Sequence, residues 1–401
     1  MHRKQASQLF KAQTACHSGY KGWLGGMDLF EGTGGCMRFV FERDKLLNMV
    51  SIAKGIVSTN NFMAILSNVL LNVADDTLTL ICTDTKVSMR STMSVDVQDE
   101  GKIVVNLDKL AGILSSLSSG LIEFTCDENK VAIKPIDSKR VKFNLKCLSV
   151  DNFPELKWDV QHEFSVVSVS LRRMLKVVLD SVSDDPSRYF MCGVYFEACD
   201  GKLRLVSTNG RRLALAEDNV GFLPDSLGYI VPPKALVLFS KSLSGNDDVK
   251  LSFNDNSMYI ISDNITLSTT LIDGNFPNYR RVIPENQDKV LEVDKNEFIS
   301  ALSRAKQIVD AKINKVSLTV SNAKLTVSAS SDNIGSSTEE IAVFYQGEEV
   351  VFNVNVDYMH NALECVTGDT VKMSFPQPLK PITIESMTPD GSFHVVMPMQ
   401  V

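Results

Sequence analysis

Hydrophobic and polar residues alternate with a period of two across residues 37–42, MRFVFE, which predicts a strand. The period then lengthens. Leu46, Leu47, Val50 and Ala53 share one side of a helix expected over residues 43–54. Short strands are expected at 68–73, at 77–83 after a turn at Asp75-Asp76, and around Ile103-Val104-Val105. A second helix is read over 107–117, followed by strands at 121–125, 130–134 and 142–146. Phe153-Pro154 marks a boundary, since proline cannot donate to a strand ladder.

The same order then recurs. A helix over 170–183 carries Leu171, Met174, Leu175, Val178, Leu179 and Val182 on one stripe, followed by strands at 193–198 and 202–208. Ile230-Val231-Pro232-Pro233 leads into a helix over 234–243, where an initial proline forfeits no hydrogen bond. Strands beginning at Val249, Met258 and Thr266 complete the unit. A third copy has helices over 295–309, with Phe298, Leu302, Ala305 and Val309 inward, and from after Asn355-Val356 to 364.

Two unrelated strings share the spacing. Val249-Lys250-Leu251-Ser252-Phe253 returns as Val371-Lys372-Met373-Ser374-Phe375 at an offset of 122 residues. Asn152-Phe153-Pro154 returns as Asn275-Phe276-Pro277 at an offset of 123. Leu78, Leu203 and Leu325 fall in equivalent strands. The reading is α+β: three repeated domains, each with two amphipathic helices packed on antiparallel sheet. Their bounds are set at 37–161, 162–284 and 285–401, with residues 1–36 a non-native or disordered extension.

Composition narrows the function. A net charge of −7 excludes wrapping nucleic acid by bulk positive charge and leaves room for a local basic face. The helix over 170–183 offers one in Arg172, Arg173 and Lys176. Lys109, Lys241, Arg304 and Lys306 add to it. The eight cysteines show no paired spacing and read as thiols of a reducing, cytoplasmic compartment. His2, Cys16, His17 and Cys36 match no usual zinc spacing, and neither a metal nor a cofactor is expected. None of the five histidines sits in a catalytic string, so no enzyme is read. Thr208-Asn209-Gly210-Arg211-Arg212 reads as a turn between strands, and Asp184-Asp185 as a polar loop after a helix.

Several strings together resemble the bacterial DNA polymerase III beta subunit family, the sliding clamps, over residues 37–401. They are Arg188-Tyr189-Phe190, Ser207 to Ala214 (STNGRRLA), Asp273 to Val282 (DGNFPNYRRV) and Val395 to Met399 (VVMPM). The resemblance implies a processivity factor: a head-to-tail homodimer forming a six-domain ring around double-stranded DNA, its helices lining the hole. It implies seam positions at Phe143 and Leu145 facing Gln307 and Ile308, with Gln307 departing from the usual apolar residue. Tyr189 and Phe190 are the DNA-facing positions carried over. Asn60, Asp108 and Asp185 depart from the family's more cationic pattern, which shifts the expected DNA contact to Arg172, Arg173, Lys176 and Lys109.

The resemblance also implies an apolar cleft between domains two and three. It comprises Met191, Thr208, Gly210, Arg211, Leu213, Pro277, Val282, Val395, Met397, Pro398, Met399 and Val401. The polymerase catalytic subunit, the clamp loader, other polymerases and repair proteins are expected to dock there through peptides like Gln-Leu-x-Leu-Phe. Residues 26–30, Gly-Met-Asp-Leu-Phe, echo such a peptide, as short strings do by chance. The alternative reading is a repeat-built interaction scaffold that encircles no DNA.

Overall fold

Because each repeat carries helices with one apolar stripe, each must supply a sheet to bury them. In the first repeat of the computed structural model these elements are β1 (Met37–Glu42), α1 (Arg43–Ile56), β2 (Asn68–Ala74), β3 (Thr77–Thr83), β4 (Val87–Ser94), β5 (Asp96–Asp99), β6 (Gly101–Asn106), α2 (Leu107–Ser116), β7 (Leu121–Asp127), β8 (Lys130–Pro135) and β9 (Phe143–Leu148). The second has β10 (Phe164–Val167), α3 (Ser168–Leu179), β11 (Val194–Cys199), β12 (Lys202–Thr208), β13 (Arg212–Asn219), β14 (Gly228–Val231), α4 (Pro233–Ser242), β15 (Asp248–Phe253), β16 (Ser257–Ser262) and β17 (Ile265–Thr270). The third has β18 (Lys289–Asp294), α5 (Lys295–Lys306), β19 (Lys315–Ser321), β20 (Lys324–Ser331), β21 (Gly335–Phe344), β22 (Val350–Asn355), α6 (Val356–Cys365), β23 (Thr370–Phe375), β24 (Ile382–Ser386) and β25 (Ser392–Val396). The structure describes residues 37–57, 63–127, 129–224, 227–242, 248–285 and 287–400. The extension 1–36 with its peptide-like string and its His and Cys residues, Asn60 and Val401 lie outside the described residues.

Two long antiparallel sheets run through the chain and cross the repeat boundaries. β17 of the second repeat pairs with β4 of the first, matching Ile265–Thr269 to Val87–Ser91. β13 pairs with β25 of the third, matching Arg212–Ala216 to Ser392–Val396. The helices follow the same continuity. α1 packs on α2 and α4, α3 on α4 and α6, and α5 on α6, so the six form one unbroken row. Gly55 permits the α1–α4 approach, because a Cβ there stands 2.1 Å from Leu238 Cδ2. The first two repeats share one apolar core, and the third has its own. Leu78, Leu203 and Leu325 are all fully buried, as the repeat requires.

The two junctions are built from one turn. Asp84 Oδ1 accepts the amides of Lys86 and Val87 at 2.9 and 2.7 Å. Asn209 Oδ1 accepts those of Arg211 and Arg212 at 3.0 and 3.1 Å. Thr83 and Thr208 each donate to the carbonyl four residues on, and each accepts the amide two residues on. Such Asx turns explain the Thr-Asn-Gly string without a phosphate. At the first junction Lys234, on α4, donates to Asp84 and to the Ile56 carbonyl at the C-terminal end of α1. At the second, Asn209 donates to the Tyr358 hydroxyl of α6 at 3.3 Å.

Three expectations are corrected. The helix read as 170–183 runs Ser168–Leu179. Its last carbonyls are taken by the sheet: Ser207 donates to Val178 and Arg212 to Asp180. The helix read as 295–309 stops at Lys306. There the amides of Gln307 and Ile308 close tighter three-residue bonds, so Val309 is buried without being helical. β4 and β13 escaped the periodicity altogether. Ser91 interrupts the apolar face of β4, and Leu213–Ala216 of β13 are buried on both faces.

Burial tends to raise the Asp84 pKa, but Lys234 and the Val87 and Lys86 amides outweigh it and hold the carboxyl below its usual range. A carboxylate with a depressed folded pKa stabilises above its unfolded value and loses that stability as pH falls through the folded one. Lys234→Met is therefore expected to cost about 1 kcal/mol at pH 7, given the half-exposed ammonium. Chemical denaturation at several pH values should show the gap between parent and variant closing below pH ~4.

Candidate functional site

Strand alternation places Arg204, Val206 and Thr208 of β12 on the face away from the helices, beside Leu213, Leu215 and Glu217 of β13 and Val395 of β25. On that face Val206, Leu213, Leu215 and Val395 form a small separate core around Tyr279. Of the expected cleft residues, Met191, Thr208, Leu213 and Val395 are buried, and Pro277, Pro398 and Met399 are half-buried. Gly210, Arg211, Val282 and Met397 are exposed. Met397 and Met399 lie past the end of β25. Their amides bond the Arg211 carbonyl at 3.0 Å and the Asn353 carbonyl at 2.6 Å. This stretch is thus tied to the second repeat at Met397 and to the third at Met399.

Gly210 has φ +84°, and a Cβ there meets Arg188 at 2.9 Å. The left-handed backbone therefore selects glycine, whereas the Arg188 guanidinium, at the end of a flexible side chain, can move aside. Arg188 belongs to a 3-10 turn, Pro186–Met191, which also carries Tyr189, Phe190 and Met191. Asp185 caps that turn, accepting the Ser187 amide and hydroxyl and Arg188 Nε at 3.0, 2.6 and 3.0 Å. Those Ser187 and Arg188 bonds hold its carboxyl below the usual range. Phe190 and Tyr189 in turn pack within 3.3 Å of where a Gly274 Cβ would stand. Asp185 thus fastens the Tyr189–Phe190 loop as well as carrying a negative charge.

The basic helix face is narrower than its sequence suggests. Arg173 turns inward, to Asp218 and the Glu217 carbonyl at 3.2 and 3.1 Å. Arg304 and Lys306 pair with Glu339 and Asp357. Lys109, Lys176 and Lys241 are exposed and Arg172 is half-buried. Asp108 lies 3.5 Å from Lys54, so its charge is met on the same face. Of the expected seam residues, Phe143, Leu145 and Ile308 are half-buried and Gln307 is exposed.

The sequence missed several participants. Tyr279 bonds Glu197 and Arg204 on this face, and Tyr358 of α6 meets Asn209; Glu197 could have been noticed as the charge in the otherwise apolar β11. Ser303, His360 and Glu364 also converge, at 3.2 and 3.8 Å, on neighbouring helices. The second distance exceeds a hydrogen bond, so the imidazole is not held as a catalytic base requires. No group of three His, Cys, Asp or Glu side chains able to hold a metal occurs among the described residues, and no helix among them is long and apolar enough to cross a membrane.

Three repeats with a continuous helix row on one side and sheets on the other define a DNA-clamp fold. Family models for the N-terminal, central and C-terminal domains of the DNA polymerase III beta subunit match residues 37–157, 165–278 and 280–400. The beta sliding clamp of Treponema pallidum is 34% identical over 373 residues, covering 91% of this chain and all of that protein. The crystal structure of the DNA polymerase III subunit beta from Pseudomonas aeruginosa superposes with a TM-score of 0.86 at 28% identity, covering 91% of this chain and all of that one. A sliding clamp from the same organism bound to griselimycin gives 0.87 at 27% identity, covering 92% of this chain and all of that one. The chain belongs to the DNA polymerase III beta subunit family, the bacterial sliding clamps. Its role is that of a DNA sliding clamp of DNA polymerase III.

One pH dependence follows from β25. His394, on β25, is buried, and burial followed by repulsion from Arg212 lowers its pKa to about 4. The unfolded value is about 6.5, so stability is full above that pH and is lost as pH falls from about 6.5 to about 4. Denaturation midpoints of the parent should decline through that window, and His394→Gln should flatten the decline.

Proposed function

We propose that two copies join head to tail into a ring that holds duplex DNA by topology, and that the cleft of Leu213, Val395 and their neighbours recruits replication partners. The observation that carries this is the unbroken helix row ending at two open strand edges. β9 lacks a partner along Phe143–Lys146 on its side away from β8, among the described residues. β21 likewise lacks one along Gly335–Ala342 on its side away from β20. Open edges template pairing with another chain. Joining β9 of one copy to β21 of its partner extends the sheets by the same move that links the repeats, and a heterologous contact of this kind closes into a ring when its rotation permits. Phe143, Leu145, Gln307 and Ile308 are the seam, and the domain bounds are 37–161, 162–284 and 285–401.

The helix row then faces the duplex. Lys109, Arg172 and Lys176, with Tyr189 and Phe190 at the rim, make the few sequence-blind phosphate contacts that sliding tolerates. Arg173 is assigned to holding Asp218 as much as to DNA. The cleft, from Met191, Thr208, Gly210, Arg211 and Leu213 through Pro277 and Val282 to Met397, Pro398 and Met399, takes extended peptides ending in Leu-x-Leu-Phe. The protein is a non-catalytic, cytoplasmic subunit.

Loading onto nicked circular DNA and then linearising it tests encirclement. The ring should stay on circles and leave linear DNA by its ends, whereas equal retention on both contradicts topology. Replacing Lys109, Arg172 and Lys176 by Glu should weaken equilibrium DNA association. Its log–log salt slope should become shallower by about 0.9 for each phosphate no longer neutralised. Arg173→Glu should instead lower thermal stability.

A further inference from the structure

The face that carries the cleft also carries a ladder of alternating charge. Glu197 on β11 stands opposite Arg204 on β12, which stands opposite Glu217 on β13. Arg204 donates to Glu217 through Nε and an Nη at 2.9 and 2.7 Å, and Lys202 completes Glu217 at 2.7 Å. Glu197 is only 6% exposed, and its charge is met by Arg204 at 3.6 Å. Its remaining donors come from the chain that links the second repeat to the third. The Tyr279 hydroxyl donates to it, and an Arg280 Nη reaches both its oxygens at 3.0 Å.

Tyr279 joins this ladder to the cleft. Its hydroxyl also accepts from Arg204 at 3.2 Å. Its ring, 3% exposed, packs with Val206, Leu213, Leu215 and Val395, two of which line the cleft. Three residues earlier Phe276 stacks on Tyr195 of β11, with centroids 4.9 Å apart and planes 4° from parallel. The linker is therefore pinned on both sides of Pro277, and Val282 ends the short turn that Tyr279 begins. Burial and the Glu197 bond push the Tyr279 pKa up to about 12, so the hydroxyl remains a donor at neutral pH.

We infer that Tyr279, Glu197 and Arg204 are positioning residues for the peptide cleft: they hold the interdomain linker and the floor under Leu213 and Val395 in the shape a peptide meets. A buried carboxylate is tolerated only while its partners stay in place. Glu197 thereby converts movement of the linker into a loss of ion pairing, and the linker wall stays preformed before any peptide arrives. Preformed walls raise affinity by sparing the ordering cost on binding.

This inference rests on the cleft being a peptide site, and the test separates the two. A fluorescent Gln-Leu-Ser-Leu-Phe pentapeptide is titrated into the full-length protein, Tyr279→Phe, and Tyr345→Phe. Tyr345 is a matched control, a buried tyrosine of the third repeat whose hydroxyl donates to the Glu348 carbonyl at 2.9 Å. Tyr279→Phe should weaken the peptide on the order of tenfold, the scale of a hydrogen bond to a charged group. Tyr345→Phe should bind as the parent does, and its retention on circular DNA should be unchanged. Amide exchange across 277–282 should quicken in Tyr279→Phe alone. Should that variant fold poorly, Arg280→Ala, whose side chain is about half exposed, should weaken the peptide roughly threefold. Parent-like affinity in the Tyr279 or Arg280 variant, or equal loss in the Tyr345 control, overturns the inference. A parent that binds no pentapeptide overturns the cleft reading, and this one with it.

Discussion

Main-chain hydrogen bonding across repeat boundaries is the constraint on which the rest of the molecule depends. Buried backbone donors and acceptors must be paired, and an unpaired strand edge invites association. Each repeat meets this demand by lending an edge to the next: β17 to β4, and β13 to β25. The repeats therefore cannot reorient independently, and their helices are carried into one row. A flexible string of domains would not define a curved wall. The polar and ionic bonds at the junctions, Lys234 to Asp84 and Asn209 to Tyr358, refine a geometry that the sheets have already set.

Duplication supplied two such junctions, and small differences gave them different roles. Both use a Thr-Asx turn with a positive φ at its third residue, +78° at Thr85 and +84° at Gly210. At the first, a side chain occupies that position and the lysine of α4 seals the contact. At the second, glycine leaves the backbone open, the amides of Met397 and Met399 tie the C-terminal stretch to both repeats, and an ionic ladder fixes the linker beneath. The contrast shows how two junctions of one design differ locally without a change of fold. His394 and Arg212 add charge-sensitive material at the second, and burial keeps the imidazole neutral at physiological pH.

The repeat architecture was legible because it is written in period and spacing. The apolar stripes of α1, α3 and α5, and the strings at 249–253 and 371–375, are local signals that survive without tertiary context. β4 and β13 were not legible, since junction strands buried on both faces, or carrying a buried Ser91, lose the alternation that betrays a strand. The helix ends at Leu179 and Lys306 are decided by Ser207, Arg212 and local tightening, which no window of sequence contains. Charge was misleading in the same way. Arg173 and Arg304 look free along a helix and are engaged with Asp218 and Glu339 in space. The expected cleft residues were named through family likeness, whereas Tyr279 lay inside the quoted string 273–282, from which only Pro277 and Val282 were singled out.

The mass of the intact particle in native mass spectrometry bears most directly on whether the open edges of β9 and β21 meet. A two-chain assembly, twice the 44.3 kDa of one chain, is the result this account requires. It should split into single chains when Leu145 is replaced by Asp at the seam. A particle of one chain at micromolar concentration would contradict it, because a single helix row cannot close around a duplex.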